Sequence, residues 1–299
     1  MLTGKHVAFL GGDARQLEVI KSCIELDAGV SLIGFDNLQS PFSGASNREL
    51  TFELLKTVDM LILPIVGTDE EGRVESIFTS KKLVLTEEHI EALPSHAVVY
   101  AGIAKSYLIE MCKRHSIRLV ELLKRDDVAI YNSIPTVEGA LMMAIQNTNI
   151  TLHGSNCIVL GLGRVGMTLA RTLHALGARV KAGVRKPKDL ARAVEMGLHP
   201  FDMEDLEEQV EDVDVLFNTV PAMVVTAKVL AHMPYSAVII DLASKPGGVD
   251  FRYAEKRGIK ALLAPSLPGI VAPKTAGRIL AQTMTRLMLK EFGDEGATP

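Results

Sequence analysis

The chain has 299 residues, which is enough for two domains with separate hydrophobic cores. Hydrophobic residues make up 47% of it and Trp is missing, a composition that suits an α/β protein with buried parallel strands. A net charge of -4 provides no basic field for nucleic acid or an anionic membrane surface, so both are excluded as partners. The amino terminus does not resemble a signal peptide and no apolar run approaches the length of a membrane span, which predicts a soluble cytoplasmic protein.

Cysteine and histidine usage argues against disulfides and metals. Cys23, Cys112 and Cys157 are isolated in apolar surroundings, so we expect small buried residues in a reducing compartment. The eight histidines show no metal-ligand spacing, and no metal site is expected.

The first half of the chain alternates strand and helix patterns, which predicts a doubly wound parallel sheet. Buried strands are predicted at residues 6–11, 30–35, 60–66, 83–86 and 97–101, with a helix at 15–26. Glycines also follow the first strand, in the run Gly11-Gly12-Asp13-Ala14-Arg15, but without G-x-G-x-x-G spacing. We expect this loop to face a cleft without holding a dinucleotide itself.

Residues 131–150 form a connector. We expect Ser133 or Thr136 to cap a helix whose apolar stripe bridges two domains, with polar side chains at the hinge. The stripe consists of Val137, Ala140, Leu141, Ala144 and Ile145.

A glycine motif in mid-chain is the most informative feature of the sequence. An apolar strand from Asn156 runs into Gly161-Leu-Gly163-Arg-Val-Gly166 and then into a helix. Gly161 permits a tight turn, Gly163 permits close approach of a pyrophosphate, and Gly166 permits close packing of the helix on the sheet. Strands are predicted to follow near residues 179–185, 213–221, 237–243 and 260–265, then a helix at 274–291 and a frayed tail.

The predicted fold is therefore α/β, with two doubly wound parallel-sheet, Rossmann-like domains, a cleft between them and long bridging helices. The expected domains are an N-terminal substrate domain at 1–130, a bridging helix at 131–150 and a nucleotide-binding domain at 151–273. The last segment, 274–299, is expected to be a helix that packs back on the first domain.

Basic residues at the end of the second strand of this domain indicate NADP. Arg185 and Lys186 stand where NAD sites usually carry an acid, and a guanidinium pairs well with a 2′-phosphate. Solvated loop charges are the alternative. The residues expected to bind the cofactor are Gly161, Gly163, Arg164, Val165, Gly166, Arg185, Lys186, Thr219, Val220, Pro221, Ala243 and Ser244.

Four segments carry a resemblance to a known family: 132–140, 161–168, 241–251 and 264–277, of which the run Leu-Pro-Gly-Ile-Val-Ala-Pro-Lys-Thr-Ala-Gly is the most specific. Over essentially the whole chain the sequence resembles the family of dipicolinate synthase A subunits from endospore-forming bacteria. The layout is more distantly similar to alanine and D-2-hydroxyacid dehydrogenases. One departure is Ser266, where the resemblance implies glycine.

The resemblance implies a reaction: oxidation of the dihydrodipicolinate synthase product to pyridine-2,6-dicarboxylate by hydride transfer to NADP, with loss of water and a proton. It implies a partner, the flavoprotein-like dipicolinate synthase B subunit, and the mother cell of a sporulating bacterium as the setting. Aromatisation supplies driving force, so the protein mainly positions the reactants and handles protons.

A dicarboxylate substrate needs cations and N–H donors. We expect Lys274, at a helix start, to be catalytic, and Arg15, Ser133, Thr136, Lys245 and Gly269 to bind substrate. Glu138 is the candidate proton acceptor, although a capping-box role is the simpler interpretation. Solvated or capping roles are the alternatives for the others as well.

Two other functions stay open: a different NAD(P)-dependent amino- or hydroxy-acid dehydrogenase, and a nucleotide-binding scaffold protein without chemistry of its own. The sequence also leaves open whether the chain forms a homo-oligomer.

Overall fold

The computed structural model describes residues 1–40, 42–244 and 246–293 of the chain. Contacts divide the chain into two compact units. Unit 1 consists of Met1–Tyr131 together with Ala272–Pro299, and unit 2 of Asn132–Val271. Each unit contains a six-stranded sheet of parallel strands, so the fold is α/β as the sequence predicts.

Unit 1 is built on the sheet order β3-β2-β1-β4-β7-β8, in which the chain crosses over from β3 to the other side of β1. Val7 of the central strand pairs with Val30 on one side and with Met60 on the other, and all three are buried. The strands are β1 (His6–Leu10), β2 (Gly29–Ile33), β3 (Ala45–Asn47), β4 (Met60–Ile62), β5 (Arg73–Val74), β6 (Leu83–Val84), β7 (Val98–Ala101) and β8 (Arg118–Glu121).

Helices cover both faces of this sheet, as a doubly wound topology requires. They are α1 (Ala14–Glu25), α2 (Phe52–Leu55), α3 (Glu87–Glu91), α4 (Ser106–Arg114) and, from the end of the chain, α12 (Pro273–Phe292). Two separate apolar cores result, one on each face.

Four strands of unit 1 differ from the sequence prediction, among them the two-residue β5, which the prediction does not include. The strand expected at 83–86 lies outside the main sheet, because β6 pairs antiparallel with β5 in a two-stranded sheet of its own. The sequence pattern does not predict β3 or β8. β3 has three half-buried or exposed residues, and β8 has the sequence Arg-Leu-Val-Glu, so neither carries the continuous apolar run of a buried strand.

Helix α12 packs along α1. Leu280, Ala281 and Met284 of α12 share one apolar core with Val19 and Ile20 of α1. A Cβ added to Gly277 would stand 2.5 Å from the Arg15 carbonyl oxygen, so the two helices touch at their first turns. Arg278 also forms an ion pair with Glu18 at 3.0 Å. The terminal helix therefore belongs to the core of unit 1.

The connector folds differently from the prediction. Helix α5 (Asp126–Asn147) begins before residue 131, so Ser133 and Thr136 lie inside it and cap nothing. Pro135 is accommodated within the helix, and the acidic first turn is Asp126 and Asp127 instead. The apolar stripe is only partly right, because Ile145 is exposed. Helix α5 crosses the boundary between the two units along the chain.

Helix α5 also corrects the expectation about membrane-length runs. It is the one helix among the described residues that is long and apolar enough to cross a bilayer. Val137, Ala140 and Ala144 of this helix belong to the apolar core of unit 2, however. One face of α5 therefore packs in the core of unit 2.

Unit 2 repeats the strand order of unit 1, as β11-β10-β9-β12-β13-β14. Cys157 of the central strand pairs with Val180 and with Val215. The strands are β9 (Asn156–Leu160), β10 (Arg179–Val184), β11 (His199–Asp202), β12 (Val215–Asn218), β13 (Val238–Asp241) and β14 (Lys260–Leu263). The helices are α6 (Arg164–Ala175), α7 (Pro187–Glu195), α8 (Leu206–Gln209), α9 (Ala227–His232), α10 (Phe251–Arg257) and α11 (Leu267–Val271).

Candidate functional site

The turn from β9 into α6 has the geometry that the glycine motif predicts. Gly161 adopts φ +86°, a left-handed conformation suited to glycine. A Cβ on Gly166 would stand 1.9 Å from the Gly161 carbonyl oxygen, so only glycine lets the helix start this close to the strand. Nothing lies within 4 Å of a Cβ built on Gly163, so that side of the turn is open to a ligand. The residues present fit a pyrophosphate.

The amino terminus of α6 can bind an anion. Gly163 is its N-cap residue, and no side chain of the described residues accepts a hydrogen bond as the cap. Arg164 and Val165 form the first turn. The first N–H groups of a 12-residue helix and its dipole therefore face the open side of the turn.

The neighbouring loop after β12 packs against this turn. The Thr219 hydroxyl donates to the Leu160 carbonyl oxygen at 2.8 Å, and its side chain lies 2.9 Å from the Cβ position of Gly161. The Val220 N–H donates to Asn218 Oδ1 at 3.0 Å. Pro221 follows, exposed at the surface. The loop thus holds the glycine turn as well as bordering the expected cofactor path.

Arg185 and Lys186 lie at the carboxyl end of β10, both exposed. Arg185 lines a pocket of about 460 Å³ together with Asp202, Met203, Glu204 and Val224. Lys186 is the N-cap residue of α7. The pocket is where the adenosine half of a dinucleotide binds in this topology. The sequence reasoning missed the two carboxylates, because Asp202 ends and Glu204 follows β11, a strand it did not predict.

Asp241 organises the loop after β13. The carboxylate is fully buried and accepts hydrogen bonds from Asn218 Nδ2 at 2.9 Å, from the Ala243 N–H at 3.0 Å and from the Gly248 N–H at 2.7 Å. Ala243 is buried, whereas Ser244 is exposed and its carbonyl accepts the Gly247 N–H. Lys245, a predicted substrate residue, lies outside the described residues.

Unit 1 contains a cleft of about 380 Å³ at the carboxyl ends of its central strands. Its wall includes Arg15, which the sequence analysis names as a substrate-binding residue. Lys105 and Arg73 also line it, and the sequence analysis names neither. Arg15 is already paired, because its guanidinium lies 2.5 Å from Asp13. Burial would raise the pKa of Asp13, but the Arg15 guanidinium outweighs this effect and holds that pKa below its usual value. Lys105 is the basic wall residue without an ion pair to a described carboxylate.

Lys274 lies in the first turn of α12, after Pro273, with an exposed side chain. Within the described ranges no carboxylate pairs with it. Its helix starts beside the first turn of α1, since Gly277 touches the Arg15 carbonyl. Two helix amino termini and the basic residues Arg15 and Lys274 thus lie on one end of unit 1. Lys274 and the amino terminus of α12 favour an anion there, whereas the Asp13 carboxylate already pairs with Arg15 and caps α1.

The remaining predicted substrate residues are engaged or buried. The Gly269 N–H donates to the Ser266 carbonyl at 3.0 Å within the turn of α11. The Ser133 hydroxyl is buried and lies 2.8 Å from the Thr168 hydroxyl. Thr136 donates to the Asn132 carbonyl one helical turn earlier. Glu138 is exposed in the middle of α5, so it is not a capping-box partner, and its role as proton acceptor stays a prediction.

The cysteines are free and buried, as predicted. Burial raises the pKa of the Cys23 thiol to about 12 and that of Cys112 to about 11, and it raises the pKa of Cys157 to about 11 as well. None of the three thiols is therefore a thiolate at neutral pH. Among the described residues, no group of three or more His, Cys, Asp or Glu side chains forms a metal-binding cluster.

The sheet and the glycine turn of unit 2 indicate the class of the protein. A doubly wound sheet whose central strand runs through a glycine turn into a helix is the architecture of dinucleotide-binding domains, including those of dehydrogenases. A family model described as "Alanine dehydrogenase/PNT, C-terminal domain" matches residues 132–298. A transhydrogenase structure from Sinorhizobium meliloti, 17% identical, has the same fold, with a TM-score of 0.67 over 95% of each chain.

More similar proteins identify the family. A family model for the N-terminal domain of the dipicolinate synthase A subunit matches residues 6–123. The dipicolinate synthase A subunit of Bacillus subtilis is 50% identical over 296 residues, covering 99% of this chain and 100% of that protein. The crystal structure of the A subunit from Bacillus halodurans is 58% identical, with a TM-score of 0.93 over 96% of this chain and 99% of that one. The chain belongs to the family of dipicolinate synthase A subunits.

Proposed function

We propose that this chain is the NADP-dependent dehydrogenase component of a dipicolinate synthase. Its substrate is dihydrodipicolinate, formed from the dihydrodipicolinate synthase product, and its product is pyridine-2,6-dicarboxylate. It acts with a flavoprotein-like B subunit in the cytoplasm of the mother cell of a sporulating bacterium. The observation that carries this proposal is the open glycine turn of unit 2, in a chain 50% identical to a named dipicolinate synthase component over its full length.

NADP is favoured over NAD by the charges at the end of β10. Arg185 and Lys186 are exposed cations, and the amino terminus of α7 begins beside them. A 2′-phosphate gains charge-assisted hydrogen bonds from such groups. Asp202 and Glu204 border the same pocket, and the Glu204 N–H donates to Asp202 Oδ1, which directs that oxygen towards its own loop.

The chain's own residues bind and orient the reactants. The turn Gly161–Gly166 and the first N–H groups of α6 hold the pyrophosphate, and the loops after β12 and β13 border the nicotinamide half. When bound, NADP supplies the hydride acceptor. Lys274, Arg15 and Lys105 of unit 1 provide positive charge for the two substrate carboxylates. Neutralising and positioning a dianion is the main task, because aromatisation supplies the driving force.

The decisive experiment mixes the purified chain with freshly made dihydrodipicolinate synthase product and either NADP or NAD, with and without the B subunit. We expect NADPH and the pyridine absorbance to grow together, faster with NADP than with NAD. The effect of the B subunit shows which steps this chain performs alone. NADP binding without turnover in any mixture would contradict the proposal and favour another substrate or a scaffold role.

Lys274→Ala tests the anion role, and Lys290→Ala is its matched control. Both lysines lie on α12, one in the first turn and one in the last. Lys274→Ala should bind NADP normally and lose turnover, whereas Lys290→Ala should keep both. A Lys274→Ala protein with ordinary KM and kcat would remove this residue from the site.

A further inference from the structure

The buried carboxylate of Asp241 holds the loop after β13. It lies at the end of β13 with no exposed surface, and its described partners are three N–H donors: Asn218 Nδ2, Ala243 N and Gly248 N. Three donors and no acceptor suit the ionised carboxylate. Within the described residues, no Lys, Arg or His nitrogen lies within 4 Å of it. Among the described residues its partners are neutral dipoles, and burying a charge costs free energy that these three hydrogen bonds must offset.

The surrounding backbone is built around this carboxylate. A Cβ on Gly247 would stand 2.5 Å from Asp241 Oδ2, and Gly247 has φ +92°. A Cβ on Gly248 would stand 2.5 Å from Asn218 Nδ2. The two glycines thus let the chain pass close enough for the Gly248 N–H to reach the carboxylate. The Asp241 carboxylate therefore accepts an N–H group from each end of the loop, Ala243 at the start and Gly248 at the end.

The position of this loop in the sheet determines what the charge can do. In this strand order, the glycine turn and β9–β11 take the adenosine half of a dinucleotide, and β12–β14 take the other half. Asp241 ends the middle strand of that second half. The nicotinamide ring carries a positive charge when oxidised and none when reduced, so a fixed nearby anion stabilises only the oxidised form.

We propose that Asp241 is a positioning residue that anchors the loop beside the nicotinamide and whose buried charge makes the site favour the oxidised cofactor over the reduced one. This inference rests on the proposed nicotinamide site. It suits the proposed direction of reaction, in which the oxidised cofactor must bind and the reduced cofactor must leave.

The test compares the dissociation constants of NADP⁺ and NADPH, measured by calorimetry on the whole chain without substrate. Asp241→Asn keeps the shape and removes the charge. The ratio of the NADP⁺ constant to the NADPH constant should rise roughly tenfold relative to the unaltered protein. Asp214→Asn is the control, since its carboxylate accepts the Asn156 N–H at the opposite end of the same sheet and should leave the ratio unchanged.

A merely structural role predicts a different result. If Asp241→Asn weakens both nucleotides equally, the ratio stays unchanged and the inference is overturned while the proposed function stands. If the unaltered chain binds neither nucleotide, the proposed function fails and the inference with it.

A second variant covers a folding failure of Asp241→Asn. The exchange Asn218→Asp with Asp241→Asn keeps one carboxylate and one amide in the buried pair, whose atoms lie 2.9 Å apart. It should retain most of the preference for NADP⁺, because the charge has moved by only one strand. A loss of the preference in this folded double variant would also overturn the inference.

Discussion

The two units have the same strand order, but among the described residues the glycine turn is open in unit 2 and closed in unit 1. In both, the central strand runs into glycines and then into a 12-residue helix. In unit 2, Gly163 caps α6 without a side-chain hydrogen bond from the described residues. In unit 1, Asp13 caps α1 with its own carboxylate, which accepts the Arg15 N–H, and Gln16 completes a capping box.

The segment around β5 closes the glycine turn of unit 1 further. The Gly12 N–H donates to the Glu75 carbonyl at 3.0 Å, and the Gly12 carbonyl accepts the Ile77 N–H at 2.9 Å. A Cβ on Gly11 would stand 2.6 Å from the same Glu75 oxygen. The donors that a phosphate would need are used by the chain itself. The strand order alone therefore does not create a dinucleotide site. Such a site also needs backbone N–H groups without partners and open space beside them.

The largest expected effect comes from breaking the open turn. Gly166→Ala forces a Cβ into a position 1.9 Å from the Gly161 carbonyl, so the helix start must move. We expect nucleotide binding to be lost and unit 2 to be destabilised by about 3 kcal/mol. Thermal denaturation and nucleotide titration measure the two effects.

Two matched variants sharpen this result. Gly163→Ala meets no atom within 4 Å, so it should fold normally and weaken only the nucleotide. Gly11→Ala should destabilise unit 1 through its 2.6 Å approach to Glu75 and leave nucleotide affinity intact. Equal nucleotide losses in Gly11→Ala and Gly166→Ala would contradict the division of roles between the units.

Arg185→Glu tests which dinucleotide the open site selects. Replacing a cation that can form two hydrogen bonds by a carboxylate should weaken the binding of NADP by about 100-fold and the binding of NAD by far less. Titration of both nucleotides measures the difference. Lys188→Glu, on an exposed residue of α7 outside the pocket wall, is the charge-matched control. Equal losses of NADP and NAD would show that Arg185 does not contact the 2′-phosphate.

Gly277→Ala tests the helix contact that completes unit 1. The new Cβ would stand 2.5 Å from the Arg15 carbonyl, so α12 must shift away from α1 at a cost of about 1–3 kcal/mol. Chemical denaturation gives the change in unfolding free energy. Nucleotide affinity should be unaffected, because the contact lies within unit 1. Gln282→Gly, at an exposed position of the same helix, measures the cost of helix propensity without crowding.

Ser266→Gly has the smallest expected effect. Ser266 has φ +59°, a left-handed conformation that costs a side chain energy, and the family resemblance implies glycine at this position. Glycine relieves that strain but loses more backbone entropy on folding. The net effect should stabilise unit 2 by about 0.5–1 kcal/mol, which thermal denaturation measures. Ser116→Gly, at φ +57° in unit 1, should behave alike. A destabilised Ser266→Gly protein would mean that the serine side chain holds the turn.

The sequence by itself determined the central strands of both sheets, the glycine turn at Gly161–Gly166 and the terminal helix. These features depend on local patterns: continuous apolar runs, glycine spacing and helical periodicity. It also determined the family, because the residues at 264–277 are specific enough to stand without coordinates.

Only the tertiary structure decided the rest. Ser133 and Thr136 look like caps in the sequence, but a helix that starts at Asp126 buries the first and bonds the second to the preceding turn. Lys105, just before α4, and the carboxylates Asp202 and Glu204, at and just after the end of β11, join pocket walls whose other residues lie elsewhere in the sequence. In the sequence Asp241 is an ordinary residue at the end of a strand, but in the structure its carboxylate accepts the Gly248 N–H. These placements depend on where a helix begins and on how strands and loops assemble, which the apolar and glycine patterns of the sequence do not encode.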